Sequence, residues 1–347
     1  MNLYGKEMKK SEWMKRTGDI SMVADARESI LTSGKADGVK VIDVKTGSGF
    51  TFSVLPSRGM DIAWAAYKGM PVSYVSKTGV VHPSYYNKDG FEFLRNFFCG
   101  LVTTCGLTYF GAPCVDEGEE LGLHGRISNT PAENVSVTKE WEGDEFVIRI
   151  RGKVEESCVF HENLVLTREI TTKLGAKSVH IKDTVENKGF DEQPLMLLYH
   201  CNFGYPVVSE HTVLLEPEGT RVRARDAEGD MSRYGSFQGP THGYAEQVFY
   251  HDLPKVDGPY TYSCLFNEEL CMGAYVKFNK DQMKYFGEWK MMGEGDYVVG
   301  LEPCTWYPEG RAKARKSGEL DMILPQEVKT FEMEIGVIEA KDELKSI

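Results

Sequence analysis

Apolar residues recur at every second position in segment after segment of this 347-residue chain. Phe146-Val-Ile-Arg-Ile-Arg-Gly-Lys-Val, Leu164-Val-Leu-Thr-Arg-Glu-Ile-Thr-Thr and Ser178-Val-His-Ile-Lys-Asp-Thr-Val all alternate in this way. So do Gly38-Val-Lys-Val-Ile-Asp-Val and Lys329-Thr-Phe-Glu-Met-Glu-Ile-Gly-Val. Successive side chains of a strand point to opposite faces, so this period fits half-buried sheets and not helices. Phe50–Leu55, Leu195–Tyr199, His211–Glu216, Met272–Phe278 and Tyr297–Glu302 read as further strands, with Gly, Asn, Asp and Pro turns between them. Long amphipathic helical patterns are lacking between the strands, which argues against a doubly wound α/β sheet. The expectation is all-β: one large sandwich domain over residues 36–340, preceded by a short helical or irregular lead-in over residues 1–35.

Charge narrows the function classes. Forty Lys and Arg stand against 52 Asp and Glu, a net charge of −12. Nucleic acid and anionic membrane need a basic face, so neither is an expected partner. No run reaches 18 uncharged apolar residues, so no transmembrane helix is expected, and the charged N-terminus lacks the apolar stretch of a signal peptide. The eight cysteines are scattered without a CxxC pair and read as free thiols in a reducing cytoplasm, most of them small core residues, so a cytoplasmic location is expected. The chain contains no P-loop, dinucleotide fingerprint, HExxH motif or GxSxG elbow.

What remains is a set of polar residues where strands meet loops. Leu121-Gly-Leu-His124-Gly-Arg126 places a histidine between two glycines. Leu195-Met-Leu-Leu-Tyr-His200-Cys-Asn202-Phe-Gly204 is an apolar strand that ends in polar groups, as pocket walls do. Tyr297-Val-Val-Gly-Leu-Glu302-Pro303 repeats the pattern with a carboxylate, which needs a partner or a role if buried. An imidazole titrates near neutrality and a carboxylate complements it. The set His124, His200 and Glu302 therefore suits acid/base chemistry, and it equally suits metal ligation. Structural roles, in a surface turn, a core histidine and a satisfied glutamate, are the alternatives.

These motifs resemble those of the aldose 1-epimerase (galactose mutarotase-like) family, in a divergent bacterial branch of unknown function. Leu123-His124-Gly125 is similar to the family's Leu-His-Gly-Gly segment, and Ser178–Gly189 followed by His200-Cys-Asn202-Phe resembles its central strand pair. Gly300-Leu-Glu302-Pro303 resembles its C-terminal glutamate strand, and Leu55-Pro-Ser-Arg58-Gly-Met-Asp-Ile resembles a turn with a substrate-binding arginine. The resemblance spans residues 40–337 and implies a β-supersandwich with a sugar cleft. It assigns Glu302 as general base on the anomeric hydroxyl, His200 as general acid on the ring oxygen, and His124 as their assistant. It implies no cofactor and no metal; the partners are a small-molecule sugar and at most a second copy of the chain in a homodimer. Arg58, Arg126, Asn202, Trp289 and Lys290 are the substrate-binding candidates, with Trp289 as a stacking platform or a core residue. The chain departs from the family at Arg126, where a small residue is expected, and lacks a clear counterpart of a substrate-binding Asp between His200 and Glu302. Arg58, Arg126 and Lys290 in one cleft would suit an acidic sugar; pairing with acids such as Glu119 and Glu288 is the alternative. A non-catalytic sugar-binding protein and a metal-dependent isomerase using His124, His200 and Glu302 are the other function classes this pattern allows.

Overall fold

The computed structural model describes residues 2–226 and 231–347. Three antiparallel sheets carry the architecture. The largest has eight strands in the order Glu133–Glu142, Glu145–Ser157, Asn163–Lys173, Ser178–Asn187, Val328–Ile338, Met272–Asn279, Tyr260–Asn267 and Thr212–Leu215. A six-stranded sheet runs Arg221–Ala224, Gln247–Asp252, Tyr285–Gly293, Asp296–Cys304, Leu198–Gly204 and Thr103–Cys105. A five-stranded sheet is built from Asp25–Ile30, Lys40–Lys45, Phe50–Leu55, Asp61–Tyr67 and the short Met70–Pro71. Among the described residues, helix is limited to short pieces such as Lys10–Met14 and Arg311–Ser317.

The alternating segments become these strands because one hydrophobic set from each sheet fills a common core. Phe52, Leu166, Ile181, Phe203, Phe278 and Val299 all belong to it. Phe278 and Phe286 stack across the eight- and six-stranded sheets with ring centroids 5.6 Å apart. The N-terminal residues are more than a lead-in: Asp25–Ile30 pairs with Lys40–Lys45, and Leu3, Met8 and Trp13 enter the core. Asp25-Ala-Arg-Glu-Ser-Ile is too polar to read as a strand because it forms the outer edge of its sheet. Five of the eight cysteines, Cys99, Cys105, Cys201, Cys264 and Cys304, are buried, and all eight are free.

A buried polar cluster ties the three sheets together. Arg168 and Asp183 sit opposite each other on neighbouring strands of the eight-stranded sheet. The guanidinium donates through Nε to Asp183 Oδ1 (2.9 Å) and through Nη2 to Asp183 Oδ2 (2.6 Å). Its Nη1 reaches Asp61 Oδ1 of the five-stranded sheet at 3.2 Å. That oxygen accepts from the backbone and hydroxyl of Thr104 in the six-stranded sheet, and Tyr199 Oη donates to Asp183 Oδ2 at 2.7 Å. Arg168, Asp61, Asp183 and Tyr199 have no exposed surface. Removing one member of such a cluster leaves an uncompensated buried charge. Arg168→Met is expected to destabilise the fold by about 3–5 kcal/mol, read as a lower denaturation midpoint in urea. A loss below about 1 kcal/mol would show that the cluster does not clamp the sheets.

Candidate active site

Strand alternation decides which side chains can meet. In Leu198–Gly204, Tyr199, Cys201 and Phe203 point into the core, so His200 and Asn202 point to the outer face. In Asp296–Cys304, Tyr297, Val299 and Leu301 take the core, leaving Gly300 and Glu302 outside. The register sets Cys201 opposite Leu301 and Leu198 opposite Cys304, which brings His200 beside Glu302. On the next strand Gly287 faces Glu302 and Trp289 faces Gly300. His200, Glu302 and Trp289 therefore form a floor drawn from three adjacent strands. His200 is near the start of its strand rather than at its exit, because Leu195–Leu197 precede the ladder.

Loops wall this floor into a cleft of about 400 Å³. Phe91, Leu94 and Phe97 come from one segment, Leu123 and His124 from a second, and Pro308 and Ala112 close one side. His124 adopts φ 59°, a left-handed conformation that histidine enters more readily than most residues. Gly125 follows at φ 80°, and a Cβ there would lie 2.3 Å from Gly106 O, so only glycine lets the turn seat His124 over the floor. Gly300 serves the floor in a similar way. A Cβ on it would lie 2.7 Å from Glu302 Oε1 and 3.1 Å from His200 Cε1.

His200 Nε2 lies 3.1 Å from Glu302 Oε1. Both residues are buried, and burial moves both toward the neutral form. Burial, reinforced by the charge of Glu246 and opposed by Arg225, pushes the Glu302 carboxyl up to about 8. Burial also holds the His200 imidazole well below the usual range; His124 adds to this and the Asn202 side chain opposes it. Burial alone brings His124 down to about 4. The two imidazoles meet edge to face at 5.8 Å between centroids, and His200 meets Trp289 edge to face at 5.2 Å. Phe93 and Phe97 pack on His124.

Three expected ligand contacts lie elsewhere. Arg58 is fully buried, and its guanidinium donates to the carbonyls of Ser128, Val81 and Asn96 at 2.7, 2.6 and 3.1 Å. It stacks on Phe98 and braces loops inside the protein. Lys290 follows Trp289 on one strand, so alternation turns it to the core face, where its ammonium donates to the carbonyls of Arg233 and Ser236. Glu288 shares that face, with an oxygen 3.3 Å from Nε2 of the buried His251. Arg126 lines a different, acid-rich hollow, 3.6 Å from Glu119 and over the Tyr109 ring. The expected basic pocket is thus absent among the described residues. Asn202 lies on the cleft-side face but beneath the lining, its amide donating to the carbonyls of His200 and Gly100.

Sequence reasoning missed Arg225 and Glu246, which stand at the two feet of the excursion between Arg221–Ala224 and Gln247–Asp252 and both line the cleft. Glu246 accepts from Trp289 Nε1 at 2.9 Å and pairs with Arg225 at 3.4 Å. Charged residues in a polar loop carry no residue-type signal that separates them from a solvated surface. Among the described residues, no group of three or more His, Cys, Asp or Glu is arranged to hold a metal ion.

Residues 36–337 match the model of the family described as Domain of unknown function (DUF4432). The chain belongs to this family. Among solved structures, this DUF4432 chain is similar to a "putative aldose 1-epimerase" from Klebsiella pneumoniae. The two share 26% identity and a TM-score of 0.87 over 92% of this chain and 85% of that one. It also resembles a galactose mutarotase-like protein from Clostridium acetobutylicum (15% identity, TM-score 0.63, 91% and 99% covered). A third likeness is to galactose 1-epimerase from Lactobacillus acidophilus (11% identity, TM-score 0.56, 91% and 99% covered). The fold is galactose mutarotase-like. No curated protein matches the sequence.

The geometry of the DUF4432 cleft makes a direct spectroscopic prediction. At pH 6, an imidazole near its usual value of about 6.5 is roughly three-quarters protonated. His124 and His200 should both remain neutral there, since burial favours the uncharged ring. Histidine ring nitrogen shifts, assigned with single His124→Asn and His200→Asn variants, check this. Titration of either ring near 6.5 would mean that the floor is wetter than the structure describes.

Proposed function

We propose that this chain is a sugar epimerase that interconverts anomers by acid/base ring opening, with no cofactor taking part. The observation that carries this reading is the His200–Glu302 pair, 3.1 Å apart on the floor of a cleft beside an indole ring. The likeness to the Klebsiella "putative aldose 1-epimerase" and to galactose mutarotase-like folds supports it.

Ring opening needs a proton removed from the anomeric hydroxyl and another delivered to the ring oxygen. Glu302 takes the first and His200 gives the second. Once the sugar is an open-chain aldehyde, rotation about the C1–C2 bond presents the other carbonyl face. Closure with the roles reversed yields the other anomer. At neutral pH the carboxyl near 8 and the depressed imidazole together carry one titratable proton. The productive arrangement places that proton on His200 and leaves Glu302 ionised. A transfer across the 3.1 Å gap reaches it without uptake or release. His124 faces His200 from the loop above and orients the ring-oxygen side. Trp289 offers a face to the sugar's C–H surface while its Nε1 is held by Glu246. Glu246 also places a carboxylate in the cleft between His200 and Glu302 in the sequence, where a sugar hydroxyl can donate to it.

Anomer exchange followed by NMR across a panel of free sugars tests the reading directly. Glu302→Gln and His200→Asn should each lower kcat/KM by ~10²–10⁴-fold while the variants stay folded, as befits loss of a general base or acid. Near-wild-type exchange in either folded variant would overturn the assignment.

The pH profile follows from the shared proton. As pH rises through about 8 the pair loses that proton, the acid is gone, and kcat/KM falls. The acid limb, where a second proton lands on the pair, lies well below 6.5 because His200 is depressed. These values belong to the pair as a whole. A rate that keeps climbing above pH 9 would show Glu302 working as a lone base.

A further inference from the structure

The polar groups of the cleft are unevenly distributed. His200 and Glu302 lie on the floor with His124 above them, and Arg225 and Glu246 are paired beside Trp289. Phe91, Leu94, Phe97 and Leu123 also line the cleft and bring no side-chain hydrogen-bonding group. Phe91 and Leu94 are 65% and 50% exposed, so they hold apolar surface open to the cleft mouth. Exposed apolar groups that border a pocket mark what the ligand covers. Arg225, the cation in the cleft lining, is paired with Asp226 at 3.0 Å and with Glu246 at 3.4 Å.

A sugar set on the floor by its anomeric hydroxyl and ring oxygen would meet Arg225 and Glu246 along one edge and the apolar lining of Phe91 and Leu94 along another. Hydroxyls on the first edge find an acceptor and a donor. A hydroxyl on the second edge would leave water and meet carbon only, which is unfavourable, whereas a methyl or methylene group there gains from burial. We infer that the preferred substrate is a deoxy sugar, a 6-deoxyhexose in the simplest case, whose hydroxyl-free edge lies against Phe91 and Leu94. The inference rests on the epimerase reading for the sugar's placement and extends it to substrate class. It replaces the acidic sugar that three cations in the cleft would have required.

Matched pairs test it: galactose against 6-deoxygalactose, and mannose against 6-deoxymannose. Each pair is measured twice on the full chain, by calorimetric binding and by NMR anomer exchange. In at least one pair the deoxy member should bind and exchange at least tenfold better. In the Phe91→Ser, Leu94→Ser double variant that ratio should fall toward one. Deoxy preference in binding without exchange of any sugar upholds the inference and overturns the epimerase reading. Equal or better binding of the parent hexose in both pairs overturns the inference, whether or not exchange occurs. Binding of none of the four sugars overturns it as well. A deoxy preference unchanged in the folded double variant overturns the assignment of that preference to this lining.

Discussion

The Arg168 guanidinium, caught between Asp183 and Asp61, is the interaction on which the rest of the molecule depends. It joins the eight-stranded sheet to the five-stranded one, and Thr104 and Tyr199 extend the junction into the six-stranded sheet. Two buried carboxylates and one guanidinium would be costly if any were left unpaired. Here both carboxylates pair with the guanidinium, and Tyr199 and Thr104 supply further donors. The arrangement therefore selects one relative placement of the sheets. Tyr199 is also the residue before His200. Anchoring its hydroxyl on the core side fixes the backbone from which His200 reaches the cleft on the other.

The same two-sidedness organises the whole six-stranded sheet. Its inner face is mostly hydrophobic, with Glu288, Lys290 and His251 paired within it, and closes the sandwich; its outer face carries His200, Glu302 and the indole. Gly287 and Gly300 flank Glu302 without side chains, and so leave the room its buried carboxylate occupies. The depressed imidazole and the raised carboxyl come from one cause, removal from water, acting on groups of opposite charge type.

The all-β fold, the single large domain and the strands that alternate were legible in the sequence, because period two is imposed by the backbone itself. Segments such as Glu133–Glu142 and Asp25–Ile30 were not, since edge strands bury little and their polar residues hide the period. His124, His200 and Glu302 could be picked out because polar residues interrupt apolar or glycine-rich runs there, and the fold brings all three to one cleft. Lys290 could have been set aside on alternation alone: it cannot share a face with Trp289, its chain neighbour. Arg58 gave no such warning, because a buried arginine wrapped by carbonyls and a sugar-binding arginine look the same in one sequence. Arg225 and Glu246 became visible only in three dimensions, where two ends of one excursion meet over Trp289.

Lys290 thereby acquires a different significance. Its ammonium holds the carbonyls of Arg233 and Ser236, inside the excursion whose feet are Arg225 and Glu246. The strand that presents Trp289 to the cleft is thus leashed from behind to the loop that frames the cleft mouth. Floor and rim are thereby joined through the interior of the sandwich, at a residue on the face turned away from the cleft.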